Sequence, residues 1–156
     1  MISCAFENGH KASLRHVVVD SLVLRGNELL LHRRSAKLNE AGKWSLAGGF
    51  LDRDETIAEG AQREILEETG YRVTDLTLLR VVDKPDRRND DRQNVSFVFF
   101  CFAGEKAGQP DWEAEEQKWF KLDNLPPKEE IAFDFYDNIQ CYLNYLKDPC
   151  QLPLIK

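Results

Sequence analysis

Residues 49–71 hold the strongest fold signal in the chain, a helix bracketed by glycines. Ala58, Ala61, Ile65 and Thr69 recur at helical spacing and would form one buried stripe. The spacing predicts a helix over residues 56–69, with Asp54 or Glu55 accepting from the first-turn amides. Gly70 is placed to stop it in a left-handed conformation. Gly60 lies inside it, where glycine costs ~1 kcal/mol against alanine, so something should compensate.

The helix is also where the charge of the protein sits. The 156 residues carry 27 Asp plus Glu and 21 Lys plus Arg, a net charge of −6. Residues 49–71 contain Asp52, Asp54, Glu55, Glu59, Glu64, Glu67 and Glu68 against Arg53 and Arg63, a net of −5. At ~100° per residue, Glu64, Glu67 and Glu68 share one arc beside the apolar stripe, with Gly60 one turn earlier. Like charges four residues apart destabilise a helix, and a hard divalent cation would reverse that sign. Mg²⁺ takes oxygen ligands, often one or two carboxylates plus substrate phosphates. Arg63 could pair with Glu55 or orient a ligand carboxylate. A solvated acidic face is the alternative. The negative charge argues against nonspecific nucleic-acid binding, which depends on clustered Lys and Arg.

Strands surround this helix. Residues 16–24, rich in β-branched side chains, turn at Arg25-Gly26-Asn27 and return over 28–32 as a hairpin. Residues 44–47 read as a short strand ending at Gly48-Gly49. Residues 72–82, 95–103 and 117–121 read as three more strands, with 95–103 central and 85–92 a polar loop. Phe135, Ile139, Tyr142, Leu143 and Leu146 mark a second amphipathic helix. The pattern implies an α/β fold, one domain over residues 1–156, with a mixed sheet between helices. No apolar run approaches the ~20 residues of a membrane span. The first residues lack a signal-peptide pattern, so a cytoplasmic location is expected. Cys4, Cys101, Cys141 and Cys150 form no Cys-x-x-Cys pair. Cys4 with His10 falls short of the four ligands of structural zinc.

Read together, Gly49, Glu55 and Arg63-Glu64-Ile65-Leu66-Glu67-Glu68-Thr69-Gly70-Tyr71 resemble the Nudix box, Gly-x5-Glu-x7-Arg-Glu-U-x-Glu-Glu-x-Gly-U, where U is bulky and aliphatic. Every fixed position matches; Tyr71 is aromatic where an aliphatic residue is usual. Just upstream, Ala47-Gly48-Gly49 stands where the family often reads Pro-Gly-Gly. The resemblance implies the Nudix α/β/α sandwich and a metal-dependent hydrolase of nucleoside diphosphates linked to another group. It implies Glu67 and Glu68 as the main metal ligands, with Glu64 as a further ligand or general base and the Gly48 carbonyl as another ligand. Arg63 and Glu55 look like the orienting pair. The metal would be Mg²⁺, with Mn²⁺ as a substitute. A base or extra ligand from a loop after the box is also expected, with the segment 111–119 as its source and Glu116, three residues before Trp119, as the candidate, against an ordinary surface acid.

For substrate contacts, Arg33, Arg34 and the arginines of the 83–92 loop, Arg87 above all, suit phosphate. A solvated hairpin tip is the other reading of that loop. Trp44, Phe6, Trp112 and Phe133 are aromatic candidates for stacking on a base or for the core. Asp134, in an Ala-Phe-Asp run found in related proteins, could touch base or ribose or cap a helix. Pro85 lies near the position where ADP-ribose-cleaving members carry a proline. The expected substrate is ADP-ribose or a similar nucleoside diphosphate sugar. The alternatives are nucleoside triphosphates of the housecleaning, oxidised type and, as a different class, a non-catalytic nucleotide-sugar sensor. The family makes a homodimer plausible.

Overall fold

Strand β3 (Val17–Arg25) is buried along seven consecutive residues, so both of its faces must be covered. The computed structural model, which describes residues 2–85 and 93–155, shows how. Val19 and Val23 pack with Ala61 and Ile65 of helix α1 (Ile57–Thr69), whereas Leu22 and Leu24 pack with Ile139 and Tyr142 of helix α2 (Phe135–Lys147). Side chains alternate across a strand with a period of two, so one helix lies on each side of the sheet.

Among the described residues, eight strands form that sheet. β3 runs parallel to β8 (Val95–Lys106) and makes the expected hairpin with β4 (Glu28–Arg34). β8 in turn pairs with β7 (Tyr71–Val82), and β7 with a short β10 (Leu154–Ile155). β4 carries β5 (Trp44–Ser45) and β9 (Ala114–Lys121). The expectation of a central strand over 95–103 holds, because β8 has neighbours on both sides. No helix of the described residues is long and apolar enough to cross a membrane.

Three expectations need correction, and one element is new. The strand that was to end at Gly48-Gly49 instead breaks at Leu46 and resumes as β6 (Ala47–Phe50), antiparallel to β3, with Asp20 opposite Gly48. Its glycines serve close approach: a Cβ at Gly48 would run into the Val19 carbonyl oxygen. The cap of α1 is Thr56 rather than Asp54 or Glu55. Its hydroxyl accepts from Glu59 N at 3.2 Å, and the Glu59 carboxylate accepts from Thr56 N at 2.8 Å, a capping box. Ala58 is exposed, leaving Ala61, Ile65 and Thr69 as the buried stripe. Finally, residues 2–14 hold an unanticipated hairpin, β1 (Ile2–Ala5) against β2 (Lys11–Leu14), turning at Asn8-Gly9.

Candidate active site

Helix α1 begins after its capping box and ends at Gly70, whose φ of 75° is left-handed and whose N–H donates to the Leu66 carbonyl. Between these stops the helix presents its acids to β6 and to the loop that joins β8 to β9. Arg63 sits among them. Its Nε and Nη2 donate to the two oxygens of Glu55 at 3.1 and 2.8 Å, and Nη2 also donates to the Phe50 carbonyl at 3.1 Å. Nη1 donates to Glu64 at 2.8 Å and to Glu67 at 3.1 Å. The Arg63–Glu55 pairing expected from the sequence is therefore present, and it is bidentate. The Arg63 hydrogen bonds and the Asp52 amide hold the Glu55 carboxyl below its usual range. Gly60 has its reason here. A Cβ there would lie 2.9 Å from both Glu55 Oε1 and Leu51 Cδ1, so the glycine makes room for the Glu55 carboxylate.

Glu64 and Glu68 turn inward. Glu68 is 3% exposed, and its Oε2 accepts from the Gly48 amide at 2.8 Å. Burial pushes its carboxyl well up, and Glu64, Glu113 and Asp111 add to the effect. Glu64 lies under Gly49, where a Cβ would come within 2.5 Å of its Oε1. Burial raises its carboxyl too, against the pull of Arg63, and Glu67 and Glu113 push the same way. Glu67 is half exposed.

The β8–β9 loop supplies two acids from the expected segment 111–119, Asp111 and Glu113, neither of them the one singled out there. Asp111 N donates to the Glu67 carbonyl at 2.9 Å. The Glu113 carboxyl is raised by burial, by Asp111 and by Glu67, while Arg34 lowers it. Glu116 is not brought here. It lies opposite Arg33 in the β9–β4 ladder and pairs with it at 3.6 Å, whereas its neighbour Gln117 reaches the Glu68 carbonyl. Alternation along β9 thus turns Glu116 away from α1. The ladder shifts register between Arg33 and Arg34, and such a bulge re-aims the side chains beyond it.

The substrate candidates are scattered. Arg33 stacks over the Trp44 ring at 4.9 Å and lines a groove of about 550 Å³ with Phe120, Lys118 and Leu125, apart from the acids of α1. Arg34 lies over the Phe133 ring at 4.9 Å. Trp44 is core, whereas Phe6 and Trp112 are exposed. Asp134 stands at the N-cap of α2, but its carboxylate makes no capping bond. Arg87 lies outside the described residues.

Among the described residues no three acidic, imidazole or thiol groups converge on one point as they stand; Glu64 and Glu67 meet instead at Arg63 Nη1. The donor set nevertheless suits a hard divalent cation. It is all oxygen, it is anionic, and two of its carboxylates, Glu64 and Glu68, are desolvated, while the Arg63 guanidinium lies between Glu64 and Glu67.

The sequence matches the NUDIX domain family over residues 14–139. An ADP-ribose pyrophosphatase from Methanocaldococcus jannaschii is 37% identical over 133 residues, 83% of this chain and 73% of its own length. An 8-oxo-dGDP phosphatase from Danio rerio is 28% identical over 139 residues, 85% of this chain but 39% of its own length. The solved structure of a Nudix hydrolase from Nitrosomonas europaea has a TM-score of 0.78 at 24% identity and covers 99% of this chain and 92% of that one. With the intact Gly49–Glu55–Arg63–Glu64–Glu67–Glu68 constellation folded against β6 as described, the chain belongs to the Nudix hydrolase family.

Proposed function

We propose that the protein is a metal-dependent pyrophosphohydrolase of nucleoside diphosphates linked to a second group, with ADP-ribose as the first substrate to test. The observation that carries the chemistry is the fixed pair Glu64 and Glu68, packed under Gly49 and Gly48 at the edge of an acidic helix. The likeness to the M. jannaschii ADP-ribose pyrophosphatase supports the substrate class.

In this reading Glu67, Glu68, Glu64 and the Gly48 carbonyl hold Mg²⁺, for which Mn²⁺ would serve. Once bound, the ion neutralises the diphosphate and makes a nearby water more acidic. The Gly48 amide keeps the Glu68 carboxylate pointed at the site. Arg63 is held by Glu55 and in turn sets the direction of Glu64 and Glu67. Glu64 Oε1 is committed to Arg63, which leaves Oε2 to take the proton of the attacking water. Glu113, close enough to raise the carboxyls of Glu64 and Glu68, takes the place expected of Glu116 as second candidate base. A bond forms from the water oxygen to one phosphorus, and the bridging P–O bond breaks. ADP-ribose would give AMP and ribose 5-phosphate. Asp134, near the end of the sheet, is the candidate contact for base or ribose.

The test is incubation of the protein with ADP-ribose and with 8-oxo-dGTP, with Mg²⁺ and with chelator, and chromatography of the products. AMP and ribose 5-phosphate, formed only with Mg²⁺, are the expected result. Cleavage of 8-oxo-dGTP alone would overturn the substrate class. Binding of ADP-ribose with no cleavage of either compound would overturn the enzyme reading in favour of a sensor.

A further inference from the structure

The last carbonyls of a helix have no donors within the helix, and at the end of α1 one segment of chain supplies them. The Glu67 carbonyl accepts from Asp111 N at 2.9 Å, and the Gly70 carbonyl from Ala107 N and Gly108 N at 2.8 and 3.0 Å. Between them, the Glu68 carbonyl accepts from Gln117 Nε2 at 2.8 Å, a partly buried bond. The last turn of α1 has no basic residue to do this work.

Among the described donors to these carbonyls, Gln117 is the side chain, and the carbonyl it holds belongs to the most deeply buried acid of the site. Glu68 is fastened at both ends. Its backbone is tied to β9 through Gln117, and its carboxylate to β6 through the Gly48 amide. β9 is itself fixed by its ladder with β4, where Gln117 lies opposite His32. Two positions on, Trp119 meets Tyr71 edge to face at 5.7 Å, just beyond the helix end. The segment that makes these bonds also carries Asp111 and Glu113. A shift of the last turn of α1 would therefore change the separation of Glu67 and Glu68 from Glu113.

We propose that Gln117 is a positioning residue, whose amide fixes the last turn of α1 so that Glu67 and Glu68 stand at a set distance from Glu113. The proposal rests on the metal-dependent reading given above. Gln117 touches neither ion nor substrate. It acts as outer-shell partners of metal ligands do, by removing freedom from a ligand before the ion arrives.

Gln117→Met keeps the length of the side chain and removes the donor. Mn²⁺ binding to the purified protein is followed from the electron paramagnetic resonance signal of the free ion. The expected result is binding about 10-fold weaker than in the unsubstituted protein, at the lower end of what loss of such a partner costs. Metal-free hydrogen exchange is expected to speed up in the peptide that covers residues 66–71. Thr56→Ala is the control, because it loosens the other end of the same helix; it should lower the melting temperature and leave Mn²⁺ affinity unchanged. Gln117→Asn, with the amide drawn back by one methylene, is expected to weaken Mn²⁺ binding likewise and serves if the Met variant does not fold. Equal Mn²⁺ affinity in Gln117→Met and the unsubstituted protein overturns the positioning role and leaves the hydrolase reading intact. Failure of the unsubstituted protein to bind Mn²⁺ overturns both.

Discussion

Gly49→Ala tests the geometry of the site with one methyl group. The Cβ it adds would stand 2.5 Å from Glu64 Oε1, 2.7 Å from its Cδ and 2.8 Å from Oε2. Comfortable contact needs a separation of at least ~3.5 Å, so the carboxylate must move by about 1 Å. The obstacle is the end of a side chain, not backbone, and the φ of Gly49 is outside the left-handed range. Folding should therefore lose little, with a change of under ~1 kcal/mol of either sign, since alanine also restricts the unfolded chain. Catalysis should lose much more. A displacement of about 1 Å in a catalytic constellation costs on the order of 10²-fold, or about 2.7 kcal/mol of transition-state stabilisation. The assay is kcat/KM on ADP-ribose with Mg²⁺, set beside the melting temperature in chelator. Glu64→Ala supplies the cycle. With the carboxylate gone there is nothing to displace, so Gly49→Ala should cost almost nothing more in that background. Full activity in Gly49→Ala, or a loss that adds in full to that of Glu64→Ala, would refute the reasoning.

Other perturbations follow from the same geometry. Glu113→Gln should lower kcat by about 10²-fold if its carboxylate takes part in proton transfer, while Glu116→Gln, an exposed partner of Arg33, should stay within about two-fold; steady-state kinetics of the two variants reverses the assignment if Glu116 proves the sensitive one. Gly70→Ala forces a left-handed φ of 75° on alanine and drives its Cβ into the Gly108 carbonyl, so denaturant unfolding should show a loss of about 2 kcal/mol. His32 is buried and neutral, its pKa pushed down to about 4 by burial and then by Arg34. The unfolded chain takes up that proton near pH 6.5, so stability is full above 6.5 and falls as the pH drops toward 4. The whole loss is about 3 kcal/mol, and it levels off below pH 4. His32→Leu, at a site where Nε2 has no hydrogen-bond partner among the described residues, should flatten the slope in urea melts taken between pH 7 and 4.

What the sequence made legible, and what it hid, divides along the range of the interactions involved. Helix α1 is local. Its stripe, its Gly70 stop and the acids on one arc follow from spacing alone, and they place Arg63 beside Glu55, Glu64 and Glu67. Even its cap was there to be read, because Thr56 three residues before Glu59 is a capping-box pair. Asn8-Gly9 likewise marked the turn of the first hairpin. The path of β6 through Gly48-Gly49 was not local. Strand preference counts glycine as a break, but these glycines stay in the strand because Val19 on one side and Glu64 on the other leave no space for a Cβ. The placement of Glu113 beside Glu64 and Glu68 was of the same kind. The ladder runs unbroken from Trp119 to Glu116, and its register shift lies beyond, between Arg33 and Arg34, on the way back to Glu113. Alternation did hold a partial answer. Gln117 and Trp119 share one face, the face that meets α1, so Glu116, the neighbour of Gln117, had to point away. The acid that reaches the site comes instead from a loop whose position is set by bonds to the end of α1, from Asp111, Gly108 and Ala107. No spacing rule within the loop encodes those bonds. An intact Nudix box therefore specifies the acidic helix, while the groups around it are fixed by how β9 and its preceding loop dock onto that helix. Residue swaps in the β8–β9 loop should accordingly alter catalysis without a change to the box.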